Sequence, residues 1–140
     1  MYPDGQDVLV VVDNRGRRER IACILEDEGF TVTEAAEGLA ALRAAGTRDY
    51  VLIVASARLP GSLDGTSTVR QARARQPWLK ALYVEDGSER PGRGNPDTDD
   101  FIVTPFERHE LIGCAFELLH RRSGEVADLM RRARTDLHTS

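Results

Sequence analysis

Short apolar runs alternate with amphipathic stretches along most of this chain, and that alternation limits the folds open to it more than any other feature. Residues 8–12 are five aliphatics in a row, the pattern of a strand buried on both faces. Further strand-like runs lie at 30–33, 50–54, 79–84 and 101–103. Between them the apolar positions change to helical spacing. The stretch 15–28 carries Ile21, Ile24 and Leu25 and stops at Gly29. The stretch 38–45 is expected to turn Leu39 and Leu42 inward and closes at Gly46. Val69 and Ala72 mark the inner face of 64–76, which Pro77 ends. Leu111, Ala115, Leu118 and Leu119 form one stripe in 107–120.

Strands that alternate with helices pair in parallel through right-handed crossovers. Five strands in some 120 residues predict a flavodoxin-like α/β fold, a doubly wound five-stranded parallel sheet of order 2-1-3-4-5. In such sheets the working site lies at the carboxyl ends of the strands. Asp13, Asn14, Ser56, Glu85 and Thr104 should all reach that edge. Two stretches depart from the pattern. Residues 86–99 hold three glycines and two prolines, so the fourth helix is expected to be shortened or lost. Ser123 and Gly124 interrupt the last helix, after which Val126, Leu129, Met130, Ala133 and Leu137 resume helical spacing. This divides the chain into a domain at 1–122 and an amphipathic helical extension at 123–140, which either folds back or pairs with a second chain as a homodimer contact.

The 140 residues suit one domain. A net charge of −4 gives no basic field for nucleic acid. No apolar run approaches the roughly 20 residues that span a bilayer, and no signal-peptide pattern opens the sequence, so a cytoplasmic protein is expected. Cys23 and Cys114 sit in helical apolar patterns without ligand spacing and read as buried, reduced thiols.

The third strand ends in Ser56-Ala-Arg-Leu-Pro60-Gly-Ser-Leu-Asp64-Gly65, and the fifth runs into Thr104-Pro105-Phe106. These two segments resemble the phosphoacceptor loop and the last conserved loop of response-regulator receiver domains, closest in feel to receivers attached to sensor histidine kinases. The resemblance covers about residues 7–122. It implies a phosphorelay domain in which an aspartate takes a phosphoryl group beside Mg²⁺, an acidic pair, a lysine and a hydroxyl. Here the acceptor position is Ser56, the acidic pair is Asp13-Asn14, the hydroxyl position is Glu85 and the lysine position is Thr104. A serine hydroxyl without an adjacent base is a weak nucleophile and brings no charge to a hard cation. These departures predict a degenerate pocket, not phosphorylated on aspartate, in a pseudo-receiver that is not an enzyme, uses no cofactor and acts through protein contacts.

Arg15 and Arg58 flank the pocket positions. Either one of them pairs with Asp13 or Glu85 as a counter-charge, or both face solvent. A metal held by Asp13 and Glu85 would have a thin ligand set. A hydrolase reading of Ser56 lacks a nucleophile-elbow motif, and the histidines (His109, His120 and His138) all fall on the last helix or the tail. The first helix carries Arg17, Arg18 and Arg20 at its amino end and acids at its carboxyl end, both against the macrodipole. That points either to a partner-binding face, which the resemblance would assign to a histidine kinase or phosphotransfer protein, or to a solvated surface. The competing function is a ligand- or metal-gated switch built on Asp13, Ser56, Glu85 and Thr104.

Overall fold

The computed structural model describes residues 6–86 and 97–121. Its nine elements follow in strict alternation until the last pair of strands: β1 (Asp7–Val11), α1 (Arg15–Asp27), β2 (Thr31–Ala35), α2 (Gly38–Ala45), β3 (Leu52–Ser56), α3 (Gly65–Arg75), β4 (Lys80–Glu85), β5 (Asp99–Val103) and α4 (Arg108–His120). The sheet is wholly parallel, in the order β2-β1-β3-β4-β5. Three strands therefore lie inside it, which explains why their sequences are apolar on both faces.

Side chains alternate between the faces of a strand, and the two halves of the core divide accordingly. Val8, Val10 and Val12 join Leu52, Val54, Leu82 and Val84 beneath α1 and α4, where Ile21, Leu25, Leu111, Ala115 and Leu118 meet them. Leu9, Val11, Ile53, Ala55 and Ala81 face the other way, onto Ala41 and Ala45 of α2 and Val69 and Ala72 of α3. All five residues 8–12 are fully buried.

Several sequence expectations need correction. Leu39 is 47% exposed and Leu42 only half-buried, because the inner face of α2 is Gly38, Ala41 and Ala45. A Cβ on Gly38 would fall well under 3.0 Å from Thr68 Oγ1 and Leu63 Cβ, so close approach selects small residues there. Cys23 is exposed and Cys114 half-buried. Leu119 is half-buried, at the edge of the stripe formed by Leu111, Ala115 and Leu118. The fourth-helix expectation falls on 86–99 and the extension on 123–140, so each lies wholly or mainly outside the described residues.

Buried polar side chains fix the lower edge of the sheet. Gln76 ends α3, accepts from Tyr50 N at 2.7 Å, and donates to the carbonyls of Ala45 at 2.9 Å and Arg48 at 3.0 Å. Arg73 donates to Leu79 O at 2.9 Å and pairs with Asp99 at 2.5 Å, tying the start of β5 to the α3–β4 turn. Lys80 is buried, and its ammonium donates to the carbonyls of Asp97, Leu118 and Arg121. Burial, then the Arg121 charge, lowers its pKa from the ordinary lysine value.

Candidate functional site

Strands β1, β3 and β4 end side by side, and the loops leaving them enclose an open cavity of about 210 Å³. Its walls are Asp13, Arg17, Ser56, Ala57, Arg58, Val84, Glu85 and Asp86. Ser56 is the last residue of β3 and 5% exposed; Glu85 is the last of β4 and 3% exposed. The Ser56 hydroxyl donates to Asp13 Oδ1 at 3.5 Å, a long contact, and the same oxygen accepts from Asn14 N at 3.0 Å.

The loop after β3 owes its shape to two adjacent residues. Asp64 caps α3 by accepting from Ser67 N at 2.8 Å, and that bond holds its carboxyl below the ordinary value. Gly65 then donates to Ala57 O at 3.0 Å. Its Cα passes so near the Ser56 carbonyl that a Cβ would lie well inside 3.0 Å of that oxygen. The Asp-Gly pair thus serves as cap and close approach in consecutive positions.

Asp13, Ser56, Glu85 and Arg58 all line this one cavity. Asn14 stands apart: its side chain caps α1 by accepting from Arg17 N at 2.8 Å, the ordinary role of an asparagine before a helix. Arg15 is also elsewhere, paired with Glu19 at 2.9 Å on an exposed face. Arg17 lines the cavity in its place, since it shares a helical face with Ile21 and Ile24. Thr104 is half-buried outside the lining; its backbone N donates to Glu85 O at 2.8 Å. The Thr104-Pro105 peptide is cis.

The partner-face residues are largely occupied within the domain. Arg18 donates to Val12 O at 2.8 Å and pairs with Glu34 at 3.3 Å. Arg20 donates to Phe106 O at 3.0 Å and stacks over the Phe106 ring at 4.8 Å. At the other end of α1, Arg108 pairs with Asp27 at 3.2 Å and Glu28 at 3.5 Å. Neighbouring elements therefore answer the charges that oppose the α1 dipole.

Glu85 is the electrostatic anomaly of the site. Its carboxylate accepts no hydrogen bond among the described residues, and burial, then Asp86, raises its pKa above the usual glutamate value of 4.5. A raised carboxyl binds its proton more readily folded than unfolded. Stability is therefore lost as pH rises from the ordinary range through the folded value, and the whole penalty is present above it. Glu85→Gln should be more stable than the parent at pH 7 by on the order of 1 kcal/mol, with the gap closing toward pH 4. Urea unfolding at the two pH values measures it. Among the described residues no group of three or more His, Cys, Asp or Glu is placed to hold a metal ion, and Asp13 with Glu85 alone is a poor set for a hard cation.

The profile of the response regulator receiver domain matches residues 8–115. The chain belongs to that family. A curated relative, the transcriptional regulatory protein TctD of Salmonella typhimurium, is 31% identical over 127 residues, which cover 89% of this chain and 56% of TctD. The receiver chain spans about half the length of the curated relatives it matches. Among solved structures, NtrX from Brucella abortus in complex with ADP aligns with TM-score 0.70 and 30% identity over 93% of this receiver and 29% of NtrX. The receiver domain of the sensor histidine kinase PA1611 from Pseudomonas aeruginosa, with magnesium in its active-site cleft, aligns with TM-score 0.69 and 28% identity over 82% of this chain and 98% of that one. The fold and the two-component receiver assignment thus agree with the sequence reading. No helix among the described residues is long and apolar enough to cross a membrane.

Proposed function

We propose that this receiver works without aspartyl phosphorylation, as a cytoplasmic, non-enzymatic interaction module of a two-component or phosphorelay system. The observation that carries the reading is the absence of both an aspartate at Ser56 and a lysine anywhere near it. The only lysine of the chain, Lys80, begins β4, at the opposite end of the strand that delivers Glu85 to the cavity. A phosphoryl dianion on Ser56 would lie near Asp13 and Glu85, at a repulsive cost of a few kcal/mol at ~4 Å and intermediate dielectric. The one side chain in hydrogen-bond reach of the Ser56 hydroxyl among the described residues is Asp13, at a long 3.5 Å, a contact that gives weak activation. The partner is a histidine kinase or phosphotransfer protein, with a homodimer through 123–140 as a second contact. Arg17, on the partner side of α1, forms no ion pair among the described residues, whereas Arg18 and Arg20 are engaged internally.

The test is an amide NMR titration of the whole chain with Mg²⁺ and then with beryllofluoride, a mimic of aspartyl phosphate. Peaks of residues 13, 56 and 85 are expected to stay in place at millimolar ligand. Saturable movement would return phosphate chemistry to the site. The second reading, a ligand-gated switch, is favoured by one observation, the carboxylate of the buried residue Glu85, which lines the cavity and accepts no hydrogen bond among the described residues.

A further inference from the structure

Where β1, β3 and β4 end, three side chains of the cavity wall offer acceptors. Asp13, itself exposed, offers a carboxylate, Glu85, only 3% exposed, a second one that accepts no hydrogen bond among the described residues, and Ser56 an oxygen whose own proton is directed to Asp13. A buried carboxylate is stable when paired and costly when not, and of the two it is Glu85 that is buried. Arg58 and Asp86, which also line the cavity, have interactions of their own. That leaves Asp13 and Glu85 against Arg17, one negative charge in excess. Arg17 is in the wall, and among the described residues it forms no salt bridge, with either carboxylate or any other.

We infer that the base of this cavity is a receptor for a primary ammonium group. An ammonium is compact, carries the one positive charge the lining lacks and presents three donors, matching the two carboxylates and the serine oxygen. A cavity of about 210 Å³ is ample for an alkylammonium head. A metal ion would need more ligands than the described residues supply there. The ammonium belongs either to a free small amine or to a lysine side chain presented by a partner. The inference rests on the reading that phosphate chemistry has left the site.

The test uses the full ¹⁵N-labelled chain at pH 7, titrated with methylammonium chloride. Tetramethylammonium chloride, which has the charge but no N–H, and sodium chloride serve at matched ionic strength. Methylammonium is expected to shift the amides of Asp13, Ser56 and Glu85 saturably, with the two other salts giving no saturable response. Binding should weaken at least tenfold in Glu85→Gln and in Asp13→Asn, each checked for a dispersed spectrum. Equal shifts with all three salts, or unchanged affinity in both folded variants, would overturn the inference. Nα-acetyl-lysine methylamide is titrated alongside. Tighter binding of this peptide-like amine assigns the site to a partner's lysine, and tighter binding of methylammonium to a free amine, either result supporting the ammonium receptor. Beryllofluoride with Mg²⁺ is a separate arm. A response there overturns the proposed function, whereas silence in both arms overturns only the ammonium site.

Discussion

Gly65→Ala is expected to destabilise the domain by roughly 3–5 kcal/mol, enough to leave much of it unfolded at 37 °C. The cause is backbone against backbone. The new Cβ would meet the Ser56 carbonyl oxygen far inside any normal contact, with the Ser56 carbonyl carbon at 3.0 Å and Ala57 Cα at 3.1 Å behind it. No rotamer relieves such a clash, because the methyl group has none. The α3 terminus would have to withdraw from β3, breaking the Gly65 N to Ala57 O bond and moving Ser56 with it. Gly113→Ala is the internal control. That glycine lies on the exposed side of α4 with nothing within 4 Å of a Cβ, and the change should stabilise by up to about 1 kcal/mol. Thermal melts followed by circular dichroism compare the two. A Gly65→Ala protein as stable as its parent would mean that the close approach is not present in solution.

Gln76→Leu should cost about 2–4 kcal/mol despite adding an apolar side chain of similar size to a buried position. The amide side chain satisfies three backbone groups at once: Tyr50 N–H and the carbonyls of Ala45 and Arg48. Leucine satisfies none, and Tyr50 is itself 1% exposed, so water cannot replace the lost acceptor without opening the structure. Denaturant unfolding gives the stability loss, and hydrogen exchange at the Tyr50 amide should accelerate more than exchange at Val10 in the sheet centre. An unchanged midpoint would show that the three groups find other partners.

Both positions illustrate what the sequence made visible and what it did not. The alternation of strands and helices was legible from periodicity and the parallel crossover rule, the strand order only from the flavodoxin-like class that such an alternation suggests, and Asp13, Ser56 and Glu85 meet because each ends or follows a strand of that parallel sheet. Gln76 appeared only as the end of a helix, because its three partners are 26 to 31 residues away in sequence. Arg17 was legible in principle: it is four residues before Ile21 and seven before Ile24, on the inward stripe of α1, whereas Arg15 is off it. Asn14 could have been recognised as a helix cap from its place just before the helix. Leu39 misled because α2 has only eight residues and packs through glycine and alanine, so hydrophobicity points to the wrong face. Thr104 misled for a different reason. A residue that follows a strand arrives at the right edge, but the turn of the next loop decides whether its side chain enters the cavity.

Strand β4 starts with Lys80 and finishes with Glu85, so one extended segment about 17 Å long has a buried cation at one end and a buried anion at the other. It is hydrogen-bonded to β3 on one side and β5 on the other, which makes it a stiff member with little freedom to buckle. Lys80 grips the carbonyls of Leu118 and Arg121 at the end of α4. A push or pull on the chain at Arg121 therefore bears directly on the root of β4, and the tip of that lever is Glu85. Mechanically, the cavity and the exit of the last helix are opposite ends of the same rod.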